Sequence, residues 1–159
     1  MKKNSTVKQQ KNSTGKNYMD ISKIFKALRF SMSFIFLWAF FDKTFGLGFA
    51  TTSANAWIHG GSPTTGFLLH GTKGSFAPFF QSLAGVGAVD WVFMVGLLFI
   101  GLTLLLNRYL KWGILAGIVM MLLMYLATFP PENNPIIDDH LIYILVLTIL
   151  AFEDKIKLK

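Results

Sequence analysis

The stretch from Phe30 to Phe49, FSMSFIFLWAFFDKTFGLGF, constrains this chain more than any other. It has the length of a membrane span, because a helix of about twenty residues rises roughly 30 Å, the thickness of a bilayer's hydrocarbon core. Yet Asp42 and Lys43 lie inside it. On a helix, Asp42 falls roughly 20 Å from Arg29, at about 1.5 Å per residue, still short of the far surface. A carboxylate at that depth costs about 3 kcal/mol or more unless it is solvated or paired. The rest of the chain has to make this acid–base pair tolerable.

Three more apolar blocks follow. With 53% hydrophobic and only 14% charged residues, arranged in runs of membrane length, the chain reads as an integral membrane protein. The expected fold is all-α: a four-helix bundle with spans at about 28–49, 89–106, 112–129 and 136–152, and short interfacial helices between the first two spans. Residues 1–20 are expected to form a disordered basic cytoplasmic tail, since they carry too few apolar side chains to bury. Residues 21–159 are expected to form one four-span domain. Basic residues before span 1 and Ala54-Asn55-Ala56 after it have the elements of a signal peptide. About a dozen residues, Asp42 and Lys43 among them, separate the apolar run from that triplet, so an uncleaved span is the preferred reading.

Cysteine is absent, which excludes a disulfide framework, a thiol active site and Cys-ligated metal or iron–sulfur centres in this chain. The net charge of +7 comes largely from the N-terminal part, where eight of the fifteen Lys/Arg fall in residues 1–29. Basic residues so placed are topology signals and lipid contacts first, and no nucleic-acid partner is expected. With four spans and both termini cytoplasmic, thirteen basic residues lie inside, against Lys43 and Lys73 outside. The expected location is the cell membrane, multi-pass.

Residues 50–88 are rich in glycine and carry Trp57, His59 and His70. Short helices at about 54–59, 63–70 and 76–84 would cap the bundle, with Ser62 and Pro63 as a helix start. Within span 3, Gly113 and Gly117 allow close helix approach. Asn134 and Pro135 are expected to start the fourth helix.

In that orientation Asp42, Asp90, Glu132, Asp138, Asp139 and all three histidines lie at or near the outer ends of spans. Acids, bases and possible ligands therefore gather at one face. Asp42 and Lys43 point about 100° apart on a helix, so each needs a partner elsewhere. Asp138 or Asp139 is a candidate for Lys43, and the Trp38 indole for Asp42. His140 and Tyr143 share a face and could relay protons or hydrogen-bond a quinone carbonyl. The charges could equally lock the bundle, or bind an anion or a lipid. The histidines show no metal-ligand spacing, and no metal is predicted.

Three motifs now stand together: Trp38-x3-Asp42-Lys43-x2-Gly46-x-Gly48-Phe49, then Ala56-Trp57-Ile58-x-Gly60-Gly61-Ser62-Pro63-Thr64-x-Gly66-Phe67-Leu68, then Asn134-Pro135-x2-Asp138-Asp139-His140-x2-Tyr143. This combination resembles the DoxX/DoxD family of small four-span membrane proteins, over residues 28–152. The resemblance implies a membrane subunit of a quinone-linked oxidoreductase of the thiosulfate:quinone type, working with a second oxidoreductase subunit. The resemblance supplies no catalytic residue set; on their chemistry and outer-face placement alone, the catalytic candidates are Asp42, Lys43, Asp138, Asp139, His140 and Tyr143. Trp38, Trp57 and Phe67 are candidates for a quinone site. The competing readings are a non-catalytic membrane scaffold for a redox partner and a small transporter or lipid-handling protein.

Overall fold

A computed structural model describes residues 3–132 and 134–153, with side chains described from Ile21 onward. The C-terminal lysines, Asn133 and the side chains of the basic tail lie outside the described residues. Helix α1 spans Lys3–Phe45. Two short 3-10 turns, Ser53–Asn55 and Trp57–His59, lead to α2, Thr65–His70. A third turn, Gly74–Phe76, leads into α3, Ala77–Gln81. Then come α4, Gly87–Leu106, α5, Leu110–Thr128, and α6, Asp139–Ala151.

The chain is all-helical among the described residues. Three segments are long and apolar enough to cross a membrane: Ile21–Phe45, Gly87–Leu106 and Leu110–Thr128. The helix containing the first begins at Lys3, inside the segment expected to be disordered. Residues 3–20 hold no proline and many Lys and Gln, so they can continue a helix that the apolar part has already nucleated. The C-terminal helix differs from expectation. It starts at Asp139, not near Ile136, and has 13 residues. Asn134 does not cap it; its Oδ1 accepts from the Ile136 and Ile137 N–H groups, holding a separate turn upstream. Asp138 is the cap, with extended backbone and a side chain that accepts from Leu141 N–H.

Helix α1 packs mainly on α4, α4 on α5, and α5 on α6, with a slighter α1–α6 contact. Phe25, Met32 and Phe36 of α1 meet Met94, Leu97, Ile100 and Leu104 of α4, Ile114 and Met121 of α5, and Leu147 and Leu150 of α6. The opposite faces are apolar too: Phe30, Phe34, Val92, Val95, Leu115 and Leu122 are all exposed. Helices apolar all round, polar neither inside nor outside, are suited to lipid rather than water.

Small residues set the helix spacing. At Gly101 an added Cβ would lie 2.6 Å from the Leu37 side chain, and at Gly113 it would lie 1.8 Å from Thr103 Oγ1. At Gly117 it would lie 2.9 Å from Leu147. The expected close approach at Gly113 and Gly117 is therefore made, toward two different neighbours. Ser33 adds a buried hydrogen bond across α1–α4, donating to Gly101 C=O at 2.8 Å. At the other end Arg29 and Glu153 pair at 3.7 Å.

Candidate functional site

Asp42 is 1% exposed, and the chain itself supplies its partners. Helix α1 ends at Phe45, and Gly46 (φ 65) and Gly48 (φ 87) turn the chain back in left-handed conformations. The turn brings two amides onto the carboxylate. Phe49 N–H donates to Oδ1 at 3.2 Å and Ala50 N–H to Oδ2 at 3.0 Å. Trp38 is not its partner. The indole lies between the Phe34 ring, stacked at 5.7 Å, and the Phe49 ring, edge-on at 5.0 Å. Asp42 thus closes the loop after α1, and both of its oxygens are engaged.

Lys43 points elsewhere. Its ammonium stands 5.9 Å from the centre of the Phe93 ring, at cation–π range. It lines a cavity of about 570 Å³ whose other walls are almost wholly apolar. Phe67 and Leu68 of α2 and Phe80 of α3 roof it, α4 contributes Val89, Val92, Phe93 and Gly96, and α5 contributes Ala116, Met120 and Met124. Lys43 is the one charged side chain in that lining. The expected pairing with Asp138 or Asp139 is not made: Asp138 is taken by His140 and by the helix cap.

The roof is pinned from α4. Asp90, 8% exposed, accepts from Ser62 Oγ at 2.8 Å, Thr64 N–H at 3.1 Å and Thr64 Oγ1 at 2.6 Å. Ser62 Oγ also accepts from Thr65 N–H at 3.1 Å, which fixes the start of α2. Asp90 was legible as an acid at a span end, but its role was not, because its partners lie 26 and 28 residues away. The triplet Ser62-Pro63-Thr64 facing an acid in the first turn of the next span is the signal that points to it.

The remaining candidates gather in a separate polar groove of about 490 Å³, lined by His70, Lys73, Glu132, Asn134, Asp138, Asp139 and His140, among others. His140 Nδ1 meets Asp138 Oδ2 at 2.6 Å. Lys73 donates to Glu132 Oε1. That contact holds the Glu132 carboxyl below the usual carboxylate range, by hydrogen bond first and charge second. The backbone here is sewn to the end of α5: Lys73 N–H donates to Ala127 C=O at 2.8 Å, and at Gly74 (φ 64) an added Cβ would lie 2.2 Å from Phe129 C=O.

The structure therefore separates what the sequence grouped. Lys43 and Phe67 share the apolar cavity. Asp138, Asp139 and His140 share the groove, with His70 and Lys73 added. Asp42 stands in the loop closure, and Tyr143 packs at the edge of the main core. Trp57 also packs there, edge-on to Trp91 at 4.6 Å, and lines neither space. No three His, Asp or Glu side chains among the described residues converge as a metal-ligand set. The chain matches no protein-family model, no curated protein and no solved structure.

Proposed function

We propose that this chain is a four-span membrane protein, both termini cytoplasmic, that holds the head group of a quinone in the cavity beside Lys43 and serves a quinone-linked oxidoreductase. The single observation that carries this reading is an apolar cavity of about 570 Å³ with one ammonium group in its lining. That volume lies within the range of small-ligand sites, roughly 300–1,000 Å³. Apolar walls suit a ring and its methyl substituents, and an ammonium N–H suits a carbonyl oxygen. Bound there, a quinone would supply the redox chemistry that this chain's own side chains lack.

The chain's residues have distinct tasks in this reading. Lys43 donates to the head-group oxygen and favours negative charge developing on it. Asp90 holds the roof over the ring and excludes water. The His140–Asp138 couple, a general acid–base pair in the groove, exchanges protons with the aqueous side. The groove's exposed charges of both signs offer an electrostatically complementary face to a second subunit. The DoxX/DoxD resemblance supports the same assignment and suggests thiosulfate as the partner reaction's reductant. Helix α6 rises only about 20 Å, so exposed Ile136, Ile137 and Phe152 would have to complete the fourth span.

Two experiments test it. A reporter fused after Lys159 should be active only on the cytoplasmic side; activity outside removes the topology. The purified chain should retain quinone, and Lys43→Met should lower its affinity roughly tenfold. Equal retention by both proteins removes the site. A lipid-handling role rests on the same cavity, and it would be favoured if phospholipid displaced the bound quinone.

A further inference from the structure

The cavity has an open side, and its position says how a ligand reaches Lys43. Helices α4 and α5 are antiparallel arms joined by the short link 107–109. Near that link they touch: an added Cβ on Gly113 would overlap Thr103 Oγ1, and one on Gly117 would lie 3.4 Å from Ile100 Cγ2. Farther along, at Gly96, the contact is only the methyl end of Met120, 2.6 Å from an added Cβ. Beyond it, at Gly87, an added Cβ would meet nothing within 4 Å. Val92, Val119 and Leu123 line the cavity, yet they are 74%, 48% and 50% exposed. Side chains that belong at once to the cavity wall and to the outer surface mark its mouth.

That mouth lies on the flanks of two helices long and apolar enough to cross a membrane. Its rim is valine and leucine, with no charged group to hold water. Over the cavity, the turn at 62–65 is tied to Asp90 by two buried hydrogen bonds and one part-buried one, so the roof is anchored to α4. Lys43, on α1, lines the same cavity. The geometry runs from an apolar opening to a single cation.

We propose that the cavity is loaded sideways from the hydrocarbon layer through the α4–α5 cleft, and that its ligand is an amphiphile whose acceptor head reaches Lys43 while an apolar tail lies in the cleft and continues into lipid. This rests on the quinone reading for the head group, and it adds the tail and the route. The cleft at Gly96 is where the tail would pass, since a side chain there would fill the gap that Met120 now spans.

The test uses the full chain in lipid nanodiscs and two probes, a decyl-tailed benzoquinone and the same ring without its tail. Binding is measured for the wild type, Lys43→Met, Gly96→Leu and Val92→Trp, with thermal unfolding as the check on folding. Val92 is largely exposed, so a variant there keeps the test alive if Gly96→Leu fails to fold. Lys43→Met should weaken both probes roughly tenfold. Both cleft residues also line the cavity, so their variants should weaken the tailed probe by a similar factor and the tailless ring by clearly less; equal weakening of the two probes overturns the sideways route. If the cleft variants bind both probes like wild type while Lys43→Met loses both, sideways loading is overturned and the head-group site stands. If wild type binds neither probe, or Lys43→Met loses nothing, the head-group site falls and this proposal falls with it.

Discussion

The apolar cavity and the polar groove share two elements, α2 and the end of α5, yet handle charge in opposite ways. In the cavity, the acids have been turned away from the open space. Asp90 faces the roof turn, Asp42 faces its own loop, and Lys43 alone looks into the void over a phenyl ring. In the groove, Lys73 pairs with Glu132 and His140 Nδ1 meets Asp138, while Glu132 and Asp139 are exposed to water. Buried hydrogen bonds to a charged acceptor are strong, whereas exposed ion pairs contribute little. In the proposed reading, the cavity is a place where a ligand oxygen would complete the polar pairing of Lys43. The groove is a place where exposed pairs can be exchanged for water.

The sharpest way to break this contrast is Asp90→Ala. It removes the acceptor for three donors, and should cost roughly 3 kcal/mol of stability along with quinone retention, read as a fall in the detergent melting temperature. An unchanged melting curve would mean the roof is held by something else. Next comes Lys43→Met, with the reverse signature: binding lost by about 1.4 kcal/mol, and stability unchanged or improved because an apolar chain now lines an apolar wall. A large loss of stability instead would make Lys43 a structural residue. On the groove side, Asp138→Ala should cost about 1 kcal/mol through the lost helix cap, without altering ligand affinity in the cavity. Coupled loss of both would show that the two spaces act as one.

The smallest effect concerns pH. Lys73 holds the Glu132 carboxyl below the usual range. A lowered folded pKa means the contact stabilises above the unfolded value and is lost as pH falls through the folded one. Glu132 is exposed, so the change should be slight. Carboxyl chemical shifts should show Glu132 titrating low, and returning toward the ordinary carboxylate range in Lys73→Met. Ordinary titration in the wild type would remove the contact.

The three long apolar helices were legible because apolar runs of membrane length admit few alternatives. The three long helices begin or end within a few residues of expectation where a left-handed residue or an αL link stops them, as at Gly46 and Asn107. The fourth helix was misjudged because two good caps, Asn134 and Asp138, compete within four residues; the nearer one to the apolar run won. The partners of Asp42 were not legible at all. They are backbone amides, which carry no residue-type signature, delivered by a loop whose path depends on two glycines with positive φ. Lys43 stands out in the sequence as a site candidate, but pairing it with Asp138 or Asp139 rests only on their shared place near the outer ends of spans. Depth says nothing about which side of a helix the partner occupies.

The contact of Gly113 with Thr103 has a mechanical consequence. From Thr103 to Val89 the α4 arm measures roughly 21 Å, at about 1.5 Å per residue. A pivot at one end of an arm that long amplifies small rotations, so a change of about 5° in the crossing angle displaces the far end by roughly 2 Å. A methyl group added at Gly113 would act on the pivot, and its effect would be felt at the open side of the cavity, where the tail of the proposed ligand would pass. The residue with the greatest leverage over the mouth is therefore among those farthest from it.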